Sequence, residues 1–268
     1  HVMDFFSRKN RILLKELVKT DFKLRYQGSL MGHLWSILKP MMLFTVMYMV
    51  FIHFLRFGSD VPHFEVALLL GMVMWTFFQE TTSMGLVSIV SRGDLLRKLS
   101  FPNEIIVIAV SINAMINFLI NLLVVFVFAI INGVNISQYA YLAPLLLVEL
   151  YLFSLGVAFI LATLFVRFRD IGPIWEVVMQ AGMYATPIIY PISMVMEKSP
   201  LAAKVLMLNP LAQIIQDMRY LLIDKANVMV SQLLVWKYAF IPYVIPFIIF
   251  IFGYLFFKHN AKKFAEII

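Results

Sequence analysis

No cysteine occurs among the 268 residues. Disulfides, iron–sulfur clusters and thiolate zinc sites are therefore excluded. Charge is scarce too: 14% of the residues are charged, against about 25% in an ordinary soluble domain. Short catalytic motifs are missing as well. There is no Gly-x-x-x-x-Gly-Lys-[Ser/Thr] phosphate loop, so ATP is not held by this chain in that mode. Neither His-Glu-x-x-His nor Gly-x-Ser-x-Gly is present, and no carboxylate pair stands at catalytic spacing. His33, His53, His63 and His259 are scattered, which argues against a metal site and against a membrane glycosyl- or acyltransferase. No catalytic residue and no metal ligand is expected. The net charge of +7 is unevenly placed and does not imply nucleic acid.

What the chain has instead is apolar mass. Hydrophobic residues make up 62%, and the mean hydropathy is +0.89. That composition describes an all-α integral membrane protein built as one bundle. His1-Val2 ahead of Met3 reads as an expression scar. No cleavable signal peptide is expected, because the first 33 residues are basic and amphipathic.

In residues 3–33, Leu13, Leu14, Leu17, Val18 and Leu24 form an apolar stripe at helical spacing, with lysines opposite. This is the pattern of a helix lying in the membrane interface. Gly28 and Gly32 form a GxxxG outside any apolar run, which reads as a turn or a close-packing device and not as a dimer motif. Six spans are expected in 34–268, near 34–57, 64–90, 104–131, 142–166, 173–190 and 237–257. Residues 191–236 mix charges and prolines with apolar runs too short to span, so half-inserted or surface helices are expected there. Between spans two and three lies a short basic stretch. Leu95, Leu96 and Leu99 would share one face of a helix at about 93–102, ended by Pro102. By the expected topology, one face carries fifteen lysines and arginines and the other six. The positive-inside rule then puts both termini and the 93–102 helix in the cytoplasm, with 191–236 outside.

Polar groups inside the spans are costly and face a partner helix or a cavity. His53, Glu80, Asn113, Asn117, Asn121, Glu149 and Glu176 fall in or at the ends of spans. Asn113, Asn117 and Asn121 recur every four residues on one face. They read either as a hydrophilic lining or as interhelical hydrogen-bond glue. Gln79 to Ser83 places five polar residues in the middle of span two, which argues for a wet pathway or a dimer interface. Phe77, Phe78, Tyr184 and Tyr190 share spans with these groups and join Glu80 and the three asparagines as channel-lining candidates.

Several stretches together resemble the ABC-2 permeases of polysaccharide exporters. Tyr26-Gln-Gly-Ser-Leu-Met-Gly-His-Leu-Trp-Ser-Ile-Leu-Lys-Pro40 is similar to the start of their first span. Leu96-Arg-Lys-Leu-Ser-Phe-Pro-Asn-Glu104 resembles their coupling helix and the turn into span three. Phe168-Arg-Asp-Ile171, Thr186-Pro-Ile-Ile-Tyr190 and Asn209-Pro210 follow in the family's order. Such exporters move lipid-linked O-antigens, capsules, wall teichoic acids and rhamnose polysaccharides; the N-terminal half is most similar to the last group. The resemblance implies a homodimer of six-span subunits in the bacterial cytoplasmic membrane. Two separate ABC ATPase subunits would carry ATP and magnesium, and the cargo would be an undecaprenyl-diphosphate-linked glycan. Leu95, Leu96, Arg97, Lys98, Leu99, Phe101, Pro102 and Glu104 would then form the ATPase-coupling region, with Arg169-Asp170 as a second contact. Arg8, Lys9, Arg11, Lys23 and Arg25 would meet the lipid diphosphate, and 191–236 would form an external gate. Competing readings are an ABC-2 permease for a drug or plain lipid, the transferase, and an ion channel, for which no repeated filter or charged ring is found.

Overall fold

The computed structural model describes residues 5–268. His1-Val2 and the start of the segment expected from residue 3 lie outside them. The described residues are helical throughout and contain no strand. Helix α1 (Arg8–Leu24) opens on Ser7, whose hydroxyl accepts from the Asn10 amide at 3.3 Å. Its apolar stripe is real: Leu17 is buried, with Leu13, Leu14 and Val18 around it, against Ile105 and Ala109. The chain then turns through Gly28 (φ 83°) and Gly32 (φ 54°), backbone conformations that glycine takes without strain. The turn reading of that pair therefore holds.

Helix α2 (Trp35–Met47) runs on into a π-helical stretch, Tyr48–Phe54. Helix α3 (Phe64–Ser91) is the centre of the molecule. All residues from Val66 to Trp75 are buried, and α3 touches α2, α5 (Glu104–Asn132), α6 (Ala143–Arg167), α7 (Ile171–Ala185) and α10 (Pro210–Leu222). The most extensive pairing joins α6 to α13 (Ile241–Ala261). Their backbones nearly touch at Gly156 and Gly253: a Cβ on Gly156 would lie 2.7 Å from the Phe250 Cα. Small residues let spans approach this way, which substitutes for the hydrophobic drive that lipid removes.

Four helical stretches have the length and apolar composition of a span: Gly32–Phe54, Glu104–Asn132, Ala140–Arg167 and Trp236–Ala261. The other two expected spans depart from that type. Helix α3 has 28 residues but carries Glu65 and the polar run Gln79 to Ser83. The segment expected at 173–190 is helical only over Ile171–Ala185. Thr186 precedes Pro187 and is extended (ψ 137°), as a residue before proline prefers, so the helix stops there. Fifteen residues rise about 22 Å, short of a ~30 Å hydrocarbon core.

The basic stretch also differs from expectation. Helix α4 covers only Gly93–Lys98, and Leu99 is extended and exposed. Leu95 packs under α1, and Leu96 joins a core group with Phe101, Phe257 and Phe264. The expected apolar docking face is thus turned inward; what α4 presents outward is Asp94, Arg97, Lys98 and the adjoining Leu99. The terminal helix α14 (Phe264–Ile267) braces it, with Ile268 against Gly93. Between α7 and α13 come α8 (Ile192–Lys198), α9 (Pro200–Leu206), α10, α11 (Val230–Leu233) and α12 (Trp236–Ala239). Helix α10 is buried along nearly its whole length, so it is inserted in the bundle and does not lie on its surface.

Candidate functional site

A cleft of about 340 Å³ opens between α1, the C-terminal half of α3 and the N-terminal half of α5. The elements explain its chemistry. Helix α1 turns leucines to α5, which leaves Asp21 and Arg25, one turn apart, facing α3. Helix α3 answers with Glu80 in its middle and Arg92 just past its end. Two ion pairs result, of opposite sense: Arg25 with Glu80, and Arg92 with Asp21. Each joins α1 to α3, and each is only partly exposed. Leu17, Leu24, Met84, Val87, Ile106 and Val110 supply the apolar wall.

The asparagine stripe divides along this site. Asn113 lines the cleft; its amide donates to the Ala109 carbonyl at 3.3 Å, while its buried Oδ1 has no hydrogen-bond partner. Asn117 donates to Glu80 Oε2 at 3.3 Å, and Asn121 donates to the Ser36 carbonyl at 2.9 Å. Asn117 and Asn121 each make one bond to another helix, Asn113 alone of the three lines the cleft, and the buried Oδ1 of all three has no hydrogen-bond partner. Phe77 and Phe78 do not face an open passage in this chain. They are buried against Phe118, Tyr151, Phe153 and Trp175, because their stretch of α3 is enclosed by α5, α6 and α7. Tyr184 is exposed, and the Tyr190 hydroxyl donates to the Tyr184 and Ala185 carbonyls at 3.0 Å, closing the broken end of α7. In the polar run of α3, the Trp175 indole donates to the Thr82 hydroxyl at 3.0 Å, while the buried Thr81 hydroxyl has no hydrogen-bond partner.

Arg8, Lys9 and Lys23 are exposed on α1, away from the cleft. Arg11 borders a shallower apolar groove with Leu14, Ile112 and Ile116. Arg25 alone of those five enters the cleft. Glu104 is buried in the first turn of α5, Pro102 lies in the loop before it, and Arg169 sits over the Phe165 ring, 4.9 Å from its centroid, beside exposed Asp170.

A second polar centre, not read from the sequence, lies in α10. Arg219 is fully buried, and its guanidinium donates to the carbonyls of Ala67 (3.0 Å), Pro187 (2.7 Å) and Ile188 (2.6 Å). It stands over the Phe64 ring and fills the space beside Gly71, where a Cβ would come within 2.5 Å. On another face of α10, Gln213 donates to Asp217 (2.9 Å) and Glu149 (3.4 Å), and the Tyr243 hydroxyl donates to Asp217. These bonds tie α10 to α3, the end of α7, α6 and α13. Among the described residues no group of three or more His, Asp or Glu is placed to hold a metal.

The family model for "ABC-2 type transporter" matches residues 12–223. Two proteins of Klebsiella pneumoniae, each named O-antigen export system permease protein RfbA, are 27% and 28% identical over 257 residues. Both alignments cover 96% of this chain and 95% of the relative. A protein of Myxococcus xanthus with the same name is 30% identical over 204 residues, covering 76% of this chain and 77% of its own.

Proposed function

The chain belongs to the ABC-2 type transporter family, and from that premise we propose that it is the membrane subunit of an ATP-driven exporter of a lipid-linked, O-antigen-type polysaccharide. The observation that carries the proposal is similarity over 96% of the chain to permeases named for O-antigen export. The cleft supports it, since it combines cations, an unsatisfied amide oxygen and an apolar wall, as a phosphorylated lipid carrying sugar requires. In this reading six segments cross the membrane, α7 with the loop after it being the fifth. The end bearing α1, α4 and α14 faces the cytoplasm of a bacterium. Two copies of the chain pair through the most exposed spans, among them α2, of which only Ser36 is buried between Trp35 and Met47. Two ABC ATPase subunits bind ATP and magnesium below, and α8 to α12 close the external side.

Arg97, Lys98 and Leu99 form the outward part of the ATPase contact, with Arg169 and Asp170 as the second point. Leu95, Leu96 and Phe101 anchor that contact from behind, because they face the core. The test is complementation of a host strain deleted for the gene, scored for glycan at the surface and for lipid-linked glycan retained inside. Export should be restored by the chain and lost with Arg97→Glu, Lys98→Glu and Leu99→Asp combined. The same triple variant should no longer co-purify with the ATPase. Normal surface glycan in the uncomplemented deletion strain would refute the exporter, and unchanged co-purification would refute the contact.

A further inference from the structure

We propose that the cleft between α1, α3 and α5 is a carboxylate-guarded phosphate site, in which the headgroup of a phosphorylated amphiphile takes Arg25 and Arg92 from Glu80 and Asp21. The identification of that amphiphile as the exporter's cargo rests on the reading above; the recognition of phosphate does not.

Both arginines enter the cleft with their charge already occupied by a carboxylate. A guanidinium offers a planar fork of donors that suits phosphate at least as well as carboxylate. Each internal acid thus stands where a phosphate oxygen would bind, and keeps the arginine placed until one arrives. The two displaced acids are provided for. Glu80 retains the amide of Asn117 at 3.3 Å, and Asp21 is partly open to water. The Oδ1 of Asn113 is buried and without a partner, as are those of Asn117 and Asn121; Asn113 alone lies on this wall, where a turn of its side chain would offer that oxygen to a ligand hydroxyl. Leu24, Met84 and Val87 are exposed along the cleft. They fit the alkyl part of the ligand.

The two ion pairs are spread along α3 and close together on α1: Glu80 and Arg92 are twelve residues apart, a rise of about 18 Å, whereas Asp21 and Arg25 are four apart, a rise of about 6 Å. A phosphate would meet Arg92 at the end of α3 first and Arg25 deeper in. Occupancy has a mechanical result, because both ion pairs brace α1 against α3. Phosphate binding cuts those braces and leaves α1 held by its leucines on α5 alone.

The experiment uses the full chain with its ATPase subunits, without nucleotide, in dodecyl maltoside, a detergent that has no phosphate to compete. Farnesyl diphosphate, farnesol and inorganic diphosphate are titrated by calorimetry. Farnesyl diphosphate should bind most tightly. Arg25→Gln and Arg92→Gln should each weaken it about tenfold or more, the scale of one charge-assisted hydrogen bond. Asp21→Asn and Glu80→Gln should tighten it, a gain that a misfolded variant cannot produce. The gain from Asp21→Asn should vanish in an Arg92→Gln background, since the acid acts only by occupying that arginine. A gain that persists there would mean bulk surface potential and would overturn the site. Inorganic diphosphate binding as tightly would assign the site to a soluble phosphate, and farnesol binding as tightly would make it merely apolar; either overturns the proposal. Normal glycan export by Arg25→Gln and Arg92→Gln, with unchanged farnesyl diphosphate affinity, would remove the site and leave the exporter standing.

Discussion

Arg219 and the pair Arg25 and Arg92 are the same residue type under opposite terms. Arg219 is fully buried and bonded to three backbone carbonyls. Arg25 and Arg92 are partly exposed and bonded to side-chain carboxylates. A carbonyl is neutral and fixed by the fold, so it cannot be titrated away or outcompeted by an anion. A carboxylate on a neighbouring helix can swing aside. The first arrangement fastens α10 to α3 and to the broken end of α7. The second holds α1 to α3 provisionally. On the proposal above, the difference separates a fixed fastening from one that can exchange partners.

The largest effect should come from breaking the first arrangement. Arg219→Met leaves the non-helical carbonyls of Pro187 and Ile188 without a donor and takes the second donor from the helical carbonyl of Ala67, all around a fully buried side chain. Each stranded acceptor costs about 1–3 kcal/mol. Thermal unfolding in detergent should fall sharply, or folded protein should be lost. Arg219→Lys should recover only part of the loss, because one ammonium cannot reproduce a fork whose Nε, Nη1 and Nη2 serve different carbonyls. Full recovery in the lysine variant would mean that charge alone holds α10, and the comparison would fail.

Much of this was legible in the sequence, and the rest was hidden for physical reasons. The apolar stripe of α1, the turn at Gly28 and Gly32, and the long third and fourth spans follow from periodicity and length. The shortness of α7 is readable from Gly172, Pro173, Gly182 and Pro187, and the structure adds where it stops, at Ala185. Leu95, Leu96 and Leu99 are expected on one face, but the helix ends at Lys98, Leu99 is exposed, and Leu95 and Leu96 turn to different core groups, because α1 and α14 pack there from distant parts of the chain. Arg219 was missed because a charged helix between spans reads as surface. The amphipathic run after Pro210 was the available signal, and it does not say which side the bundle covers. Glu80 was plainly in need of a partner. Nothing local pointed to Arg25, which lies 55 residues earlier at the end of another helix.

A smaller effect is expected at the second arrangement. Glu80→Gln removes an ion pair whose side chains are 21% and 16% exposed. The amide can still accept from Arg25 and Asn117, so the loss in stability should be about 1 kcal/mol or less, the range of partly solvated pairs. Unfolding of this variant, followed beside Arg219→Met, tests the ranking directly. A larger loss at Glu80 would make the cleft a structural strut and not an exchange site.

The smallest effect should belong to Arg92→Lys. The partner of Arg92 is one carboxylate oxygen of Asp21, about a third exposed. A lysine reaches such a target with a point charge and gives up only the second arm of the fork. Stability should stay within about 0.5 kcal/mol of the native chain, as for most surface substitutions. Arg219→Lys is chemically the same exchange, yet it faces three acceptors arranged around a fixed plane. Unfolding curves of the two lysine variants in the same detergent therefore isolate geometry from charge. If both fall equally, the fork matters as much in the cleft as in the core, and the distinction between a fixed and an exchangeable arginine is lost. If only Arg219→Lys falls, α1 is held by charge that an incoming anion can claim, while α10 is held by directed hydrogen bonds that it cannot.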